Sequence, residues 1–277
     1  MNRVLQIAAN ILPRSAKSAL RPGYDAIVRA QRGGYPTISA LTGLFPKWAN
    51  LRQCANMDRW DPYVDSPLSE AGMEKEWNEI IWPVIQDFDF TTVLELAPGG
   101  GRNTARLAAL ATDLYAVDLN QPVIDRVQAR FKEYQGRCRL HFAANDGCSL
   151  PMIRSNTITT IYTWDSVVHF DRRVIRDYVR EFARVLAPGG RGFVHHSNLG
   201  DPHAKRLDQR PVGDDFFFNP QSRSDMTKNL FRQYCEQSSL TVEQQIDLPW
   251  PPWDYKQLRR GEVVDCLSVF SKPQYPR

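Results

Sequence analysis

The chain has 277 residues, a formal net charge of +4, 42% hydrophobic residues and 24% charged residues, values that fit a globular protein and exclude a collagen-like, coiled-coil or disordered chain. Its apolar runs are far shorter than the roughly 18 residues of a membrane-spanning helix. Its five cysteines include no C-x-x-C pair, so the sequence predicts no disulfide framework, no metal site and a reducing, cytoplasmic compartment.

The positive charge belongs to an N-terminal arm. Residues 1–34 carry six Lys and Arg against Asp25 alone, and the rest of the chain is almost neutral, which argues against a nucleic-acid partner. Apolar residues at helical spacing run up to Pro13 between cations, a composition typical of an interfacial helix. Because most amphipathic helices dock on protein, docking on the body or in a homodimer is favoured. Peripheral membrane contact through residues 1–20 stays open.

The chain divides into two parts. Residues 1–66 form the basic helical arm followed by an irregular cap that is rich in Gly, Pro, Asn and Ser. Residues 67–277 form the main domain, which carries an insert at 199–223.

Strand and helix patterns alternate through the main domain. Predicted helices begin at the N-caps Ser69, Asn120 and Asp171, and a further helix covers 224–238. The predicted strands are 91–97, 113–119, 139–144, 157–164, 191–197, 241–248 and 263–270. This order predicts an α/β fold with a doubly wound, mostly parallel seven-stranded sheet and an antiparallel last strand.

A glycine cluster follows the first predicted strand. Gly99, Gly100 and Gly101 lie at a strand-to-helix turn, where glycine lets the backbone approach a ligand and the helix N-terminus favours negative charge. Asp118 ends the next predicted strand, at the spacing that places a carboxylate beside a ribose in doubly wound sheets. Together these features predict a ligand with an adenosine part.

Two residues narrow the choice of ligand. Thr104 occupies the third small position of the dinucleotide pattern G-x-G-x-x-G/A, so that pattern is incomplete and a nicotinamide reductase is disfavoured. Glu95 lies inside the strand, four residues before Gly99. A carboxylate there suits a ligand with an ammonium group, such as the methionine end of S-adenosylmethionine.

Residues 91–196 resemble the core of the class I S-adenosylmethionine-dependent methyltransferases. Ala97 stands where the first motif of that family more often has glycine. The resemblance rests on five segments in the family's order: Glu95-Leu96-Ala97-Pro98-Gly99-Gly100-Gly101-Arg102, Asp118, Asn145-Asp146-Gly147, residues 162–170 and residues 185–198. More loosely, 223–231 and 263–270 resemble the tail of a bacterial subgroup found in sugar and secondary-metabolite gene clusters.

The resemblance implies S-adenosylmethionine as the cofactor and a set of residues around it. Glu95 and the glycines would hold the methionine part, Asp118 the ribose, and Asp146 with the backbone of Gly147 the adenine. An ordinary turn remains an alternative role for Asp146, and Trp164 is equally a wall of the site or a core residue. The implied cofactor-binding set is Glu95, Ala97, Gly99, Gly101, Asn103, Asp118, Leu119, Asp146, Gly147 and Trp164.

Histidine is the expected general base, because methylation of a hydroxyl requires removal of its proton. His169 lies in the loop after the fourth predicted strand, and Asp165 is placed to orient it. The alternatives are His196 or His195 at the end of strand five, only one of which can face the site. His169 could instead cap the helix at Asp171. The loose subgroup resemblance adds Arg223 and Asp265 as contacts to a polar acceptor.

The expected function is therefore O-methylation of a hydroxyl on a polar small molecule or glycan. N-methylation needs no base and stays open, as does a non-catalytic binding module. Recognition of the acceptor would fall to residues 1–66, 199–223 and 248–261, which the motifs do not cover.

The arm generates a testable prediction. Removing residues 1–20 should leave affinity for the cofactor unchanged, because these residues lie outside every cofactor motif. If the arm is interfacial, the truncated protein should lose binding to anionic vesicles in a flotation assay, since charge and apolar burial both drive such binding. Equal vesicle binding by both forms would contradict membrane contact, and unfolding of the truncated form would favour the docked helix.

Overall fold

The computed structural model describes residues 67–198, 224, 226–248 and 265–274. The N-terminal arm and cap, the insert at 199–223 with Arg223, and residues 249–264 lie outside the described residues. The predictions for those segments, the domain boundary at 66 included, therefore stay predictions.

Helices and strands alternate along the described chain. Helix α1 (Pro67–Glu76) continues through a π-helical turn (Trp77–Ile81) into the short helix α2 (Trp82–Ile85). The elements that follow, in chain order, are β1 (Thr92–Leu96), α3 (Arg102–Leu110), β2 (Asp113–Asp118), α4 (Gln121–Arg130), β3 (Arg139–Ala144), β4 (Ile158–Thr163), a 3-10 turn (Val167–His169), α5 (Arg172–Val185), β5 (Leu186–Ser197), α6 (Lys228–Gln237), β6 (Thr241–Leu248) and β7 (Asp265–Ser271).

The strands in the described part of the chain form one seven-stranded sheet in the order β3-β2-β1-β4-β5-β7-β6. Neighbours from β3 to β5 are parallel, and β7 runs antiparallel to both β5 and β6. The fold class predicted from the sequence is therefore confirmed. The chain goes outward from β1 to β2 on one side and returns to β4 on the other, so β1 and β4 flank the switch point, where doubly wound sheets bind ligands.

The two faces of the sheet are covered by different helices. Strand residues alternate in direction, so Leu94 and Val194 pack on one face with residues of α5 and α6. Phe193 packs on the other face with residues of α1, its π-helical turn and α3. Glu95 pairs in register with Tyr162, which pairs with Phe193. Glu95 consequently faces the helices that begin the described chain.

Local predictions hold in some places and fail in others. Asn120 and Asp171 are N-caps as expected, whereas Ser69 lies inside α1 rather than before it. Strand β5 begins at Leu186, directly after α5, and not near residue 191. The early start is possible because Gly189 adopts φ +82° and its N–H donates to the carbonyl of Lys272, which brings the turn into the ladder with β7.

None of the described helices is long and apolar enough to cross a membrane.

Gly192 generates a stability prediction. A Cβ at this position in β5 would lie 2.2 Å from Cζ of the buried Phe270, so Gly192→Ala should lower the free energy of unfolding by about 1–3 kcal/mol through overpacking. Gly72→Ala is the matched control, because its Cβ meets nothing within 4 Å on α1 and alanine favours a helix. Urea unfolding measures both, and an unchanged midpoint for Gly192→Ala would contradict the packing argument.

Candidate functional site

The site predicted from the sequence is assembled at the carboxyl ends of β1, β2 and β4. Ser166 in the loop after β4 donates from Oγ to the carbonyl of Ala97 at 3.3 Å, and Ala97 N–H donates to the carbonyl of Val117 at 2.7 Å. These two bonds join the ends of the three strands. The crevice at the switch point therefore has defined walls.

The turn after β1 contains residues in the left-handed backbone conformation. Ala97 has φ +58° and Gly99 has φ +55°, a region that disfavours side chains. A Cβ on Gly99 would meet nothing within 4 Å, whereas a Cβ on Gly101 would lie 3.3 Å from Val127 and Arg130 of α4. Gly99 thus leaves open space at the turn, and the visible role of Gly101 is the close packing of α3 on α4.

Glu95 is buried beneath this turn. Its side chain is 2% exposed, and burial raises its pKa to about 7 although the Thr104 hydroxyl opposes the shift. Oε2 of Glu95 is buried without a hydrogen-bond partner among the described residues, and the side chains of Asn103 and Tyr162 lie close enough to interact with each other beside it. Buried polar atoms are rarely left without a partner. This set of acceptors fits a cationic N–H donor, which is what the ammonium group of S-adenosylmethionine would bring.

Asp118 ends β2 at the rim of the crevice. It is 7% exposed, so it is not an exposed strand-end acid. Its Oδ1 accepts the N–H of Asn120 at 2.8 Å, which fixes the carboxylate over the start of α4, with Leu119 between them in the turn. In doubly wound sheets a carboxylate at this position is expected to bind the ribose hydroxyls.

The turn after β3 is held by its own side chains. Oδ1 of Asp146 accepts the N–H groups of Cys148 and Ser149 at 2.9 and 2.7 Å. Partial burial raises the pKa of Asp146, but these hydrogen bonds together lower it further, so the pKa lies below its ordinary value. The N–H of Gly147 donates to Oδ1 of Asn145 at 3.0 Å. An adenine bound here would share the N–H of Gly147 with Asn145.

Trp164 forms the wall of the site at the end of β4. Its Nε1 donates to Oε2 of Glu76 at 2.6 Å, and its ring lies against Phe193 and His195. At 7% exposure it is both a core residue and a neighbour of the crevice. Asp165 follows in the left-handed region, at φ +51°, and its backbone N–H donates to Nδ1 of His195 at 3.1 Å.

The structure separates His195 from His196. His195 shares the face of Trp164, and its Nε2 lies 3.2 Å from the buried carboxylate of Asp265. His196 points to the opposite face, where it stacks on Phe231. Both its ring nitrogens are engaged, with the carbonyl of Ser197 and the hydroxyl of Ser268, and burial lowers its pKa to about 4. The structure therefore does not bring His196 to the site, which corrects its assignment as a candidate base.

His169 is buried in the 3-10 turn, which packs against β5. The N-cap of α5 is Asp171, whose carboxylate accepts the N–H of Arg173 at 2.8 Å, so capping is not the role of His169. Asp165, which the sequence predicts to orient His169, donates its backbone N–H to Nδ1 of His195. His141 lies away from this edge and bonds to Asp113 at the start of β2.

Glu76 and Tyr162 reach the crevice although the sequence reasoning did not select them. Glu76 sits in the polar stretch Glu74-Lys75-Glu76 of α1, where an acidic residue is ordinarily exposed. Tyr162 lies in a strand composed otherwise of Ile and Thr, where a tyrosine is ordinarily a core residue. The alternation of β4 could have placed Tyr162 beside Glu95, but the contact of Glu76 depends on how α1 packs.

The central part of the chain matches a known protein family. Residues 93–190 match the family model described as "Methyltransferase domain". A search of the curated proteins gave no match.

Three solved structures are similar in fold. One is a Pyrococcus horikoshii OT3 protein (TM-score 0.54, 16% identity, 76% of this chain and 93% of that chain). The second is geranyl diphosphate C-methyltransferase from Streptomyces coelicolor A3(2), in complex with Mg²⁺, geranyl diphosphate and S-adenosylhomocysteine (TM-score 0.55, 13% identity, 79% of this chain and 98% of that chain). The third is a methyltransferase from a complex with the Haloferax volcanii Trm112 methyltransferase activator (TM-score 0.52, 16% identity, 79% of this chain and 99% of that chain). At these identities the likeness shows the fold.

Asp118 generates a binding prediction. Asp118→Ala should weaken binding of S-adenosylhomocysteine by about 1–3 kcal/mol, because a ribose would lose a charged acceptor. Asp125→Ala is the matched control, since Asp125 is exposed on α4 and bonds only to Gln121 among the contacts described. Calorimetric titration with S-adenosylhomocysteine and with NAD measures both, and tighter binding of NAD by the unmodified protein would contradict the cofactor assignment.

Proposed function

We propose that this chain is an S-adenosylmethionine-dependent methyltransferase that methylates a hydroxyl group on a polar small molecule or glycan. The match of residues 93–190 to the methyltransferase-domain model supports the reaction class. The observation that carries the proposal is the buried turn with His169. It follows β4 after the loop of residues 164–166 and packs against β5, on the edge that also carries Glu95 and Asp118.

The cofactor would be held by residues of the crevice. The candidates are Glu95 with Asn103 at the methionine part, Asp118 at the ribose, and Asp146 at the adenine. Ala97 and Gly99 keep the turn open beside them. When bound, the cofactor supplies a methyl group on a sulfonium, whose transfer is an in-line displacement in which position matters most.

His169 would take the proton of the acceptor hydroxyl on an imidazole nitrogen. Of the other two histidines, His196 lies on the far face with Ser197 and Ser268, and His195 contacts Asp165 and Asp265. His195 remains the alternative base, because its Nδ1 accepts the N–H of Asp165 and its Nε2 lies 3.2 Å from the carboxylate of Asp265. Movement of Asp165 would expose that Nδ1.

N-methylation is retained as the second candidate, because an amine acceptor needs no general base. The likeness to geranyl diphosphate C-methyltransferase, at 13% identity, extends to the fold and supports no acceptor.

A panel of acceptors tests the function. The purified full chain is incubated with methyl-labelled S-adenosylmethionine and matched sets of glycosides, phenols and amines. Label transferred to a hydroxyl is expected, and transfer to amines alone would replace the proposal with N-methylation. Cofactor binding without transfer to any member, or to a cell extract, would favour a binding module.

The base generates the mutational prediction. His169→Gln should lower kcat by about 10²–10⁴-fold, the usual contribution of a positioned base, while affinity for S-adenosylhomocysteine changes little. The low-pH limb of the kcat profile, which arises when a base is protonated, should vanish in the variant. His141→Gln is the control, because His141 lies at the other end of the sheet with Asp113. If His169→Gln keeps nearly full kcat, His169 is not the general base and His195 becomes the candidate.

A further inference from the structure

Glu76 belongs to the crevice although it lies outside the family match. It is the last residue of α1, and its side chain, 6% exposed, turns inward to accept the 2.6 Å hydrogen bond from Nε1 of Trp164. Trp164 directly follows β4, one of the two strands at the switch point. A helix that precedes the matched domain thus contributes a carboxyl group to the site.

The groups that face Glu76 come from every element packed around it. Asp165 approaches from the loop after β4 and Arg102 from the first turn of α3. Tyr162 of β4 lies within the electrostatic range of both Glu76 and Glu95, with Arg106 of α3 nearby. Burial, followed by the repulsion from Asp165, raises the pKa of Glu76 to about 8, and neither Trp164 nor Arg102 offsets this.

Two buried carboxyl groups therefore lie at one site. Glu95 and Glu76 are each more than nine-tenths buried, and the pKa of each is raised chiefly by burial. Oε2 of Glu95 has no hydrogen-bond partner among the described residues. A buried carboxyl group without a cation holds its proton, and a nearby positive charge releases it. The site is thus built for a ligand with positive charge.

The charges of substrate and product differ at one atom. S-adenosylmethionine carries a positive ammonium group and a positive sulfonium, whereas S-adenosylhomocysteine keeps the ammonium group and has a neutral thioether. A site that ionises two carboxyl groups can distinguish them by charge.

We propose that Glu76 compensates the sulfonium charge while Glu95 compensates the ammonium charge, so that the site prefers S-adenosylmethionine to S-adenosylhomocysteine and releases a proton from Glu76 only with the former. This inference rests on the cofactor site described under the proposed function and adds to it the recognition of the reactive sulfur.

The pH dependence follows from linkage. Below about pH 8 the Glu76 carboxyl is mostly protonated, so binding of S-adenosylmethionine displaces its proton. Affinity for S-adenosylmethionine should therefore rise with pH, by up to about tenfold per unit for one proton released, and level off above the pKa of the free protein. Glu95 faces the ammonium group that both ligands carry, so its contribution cancels when the two ligands are compared.

The experiment is calorimetric titration of the full chain at neutral pH in two buffers of different ionisation enthalpy. Titration with both ligands measures the protons released by each. The unmodified protein should release about one proton more with S-adenosylmethionine. Glu76→Gln should abolish this difference and reduce the preference for S-adenosylmethionine by about tenfold, whereas Glu74→Gln, an exposed change on the same helix, should do neither.

The variants also separate charge from structure. Glutamine keeps an oxygen for Nε1 of Trp164, so a purely structural role predicts that Glu76→Gln behaves like the unmodified protein, which would overturn the inference. Equal proton release with both ligands by the unmodified protein overturns it without any variant, even if Glu76→Gln fails to fold. Binding of neither ligand would instead overturn the cofactor assignment itself.

Discussion

Burial of carboxyl groups beneath the turn after β1 is the constraint on which the site depends. Glu95 lies within a strand whose other buried residues, Val93, Leu94 and Leu96, are apolar, and it faces helices rather than water. A carboxyl group in that position costs free energy unless it is neutral or meets a cation. Asn103, Thr104 and Tyr162 line the same space with polar atoms. The core next to the switch point is thus polar.

The loop after β4 connects that space to the rest of the molecule. Trp164 bonds to Glu76 of α1, Asp165 to His195 of β5, and Ser166 to Ala97 of the glycine turn. Three consecutive residues of this loop therefore form hydrogen bonds with a helix, a strand of the sheet and the glycine turn after β1. The left-handed conformation of Asp165 is stored strain of the kind that occurs at functional sites. Displacement of this loop would alter the environments of Glu76 and His195 together.

The histidines illustrate how one residue type serves different purposes. His196 completes the core between β5 and α6, where two hydrogen bonds and a stacked Phe231 satisfy it. His195, one residue earlier, turns to the other face and pairs with Asp265. Since neighbours in a strand point in opposite directions, the burial of one beside α6 fixes the other beside Trp164. The reversed strand β7 supplies a partner to each, Ser268 and Asp265.

The sequence by itself determined the properties that depend on neighbours along the chain. The alternation of strand and helix patterns predicted the strands and a mostly parallel sheet. The glycine turn with Asp118 located the crevice, because the backbone conformation of a turn and the end of a strand are local. The tertiary structure decided the rest. The bond between Glu76 and Trp164 joins residues 88 positions apart, and no local pattern marks Glu76 as buried. The choice between His195 and His196, the packing role of Gly101 and the raised pKa of Glu95 likewise arise from surroundings that distant segments create, since burial and charge act through space rather than along the chain.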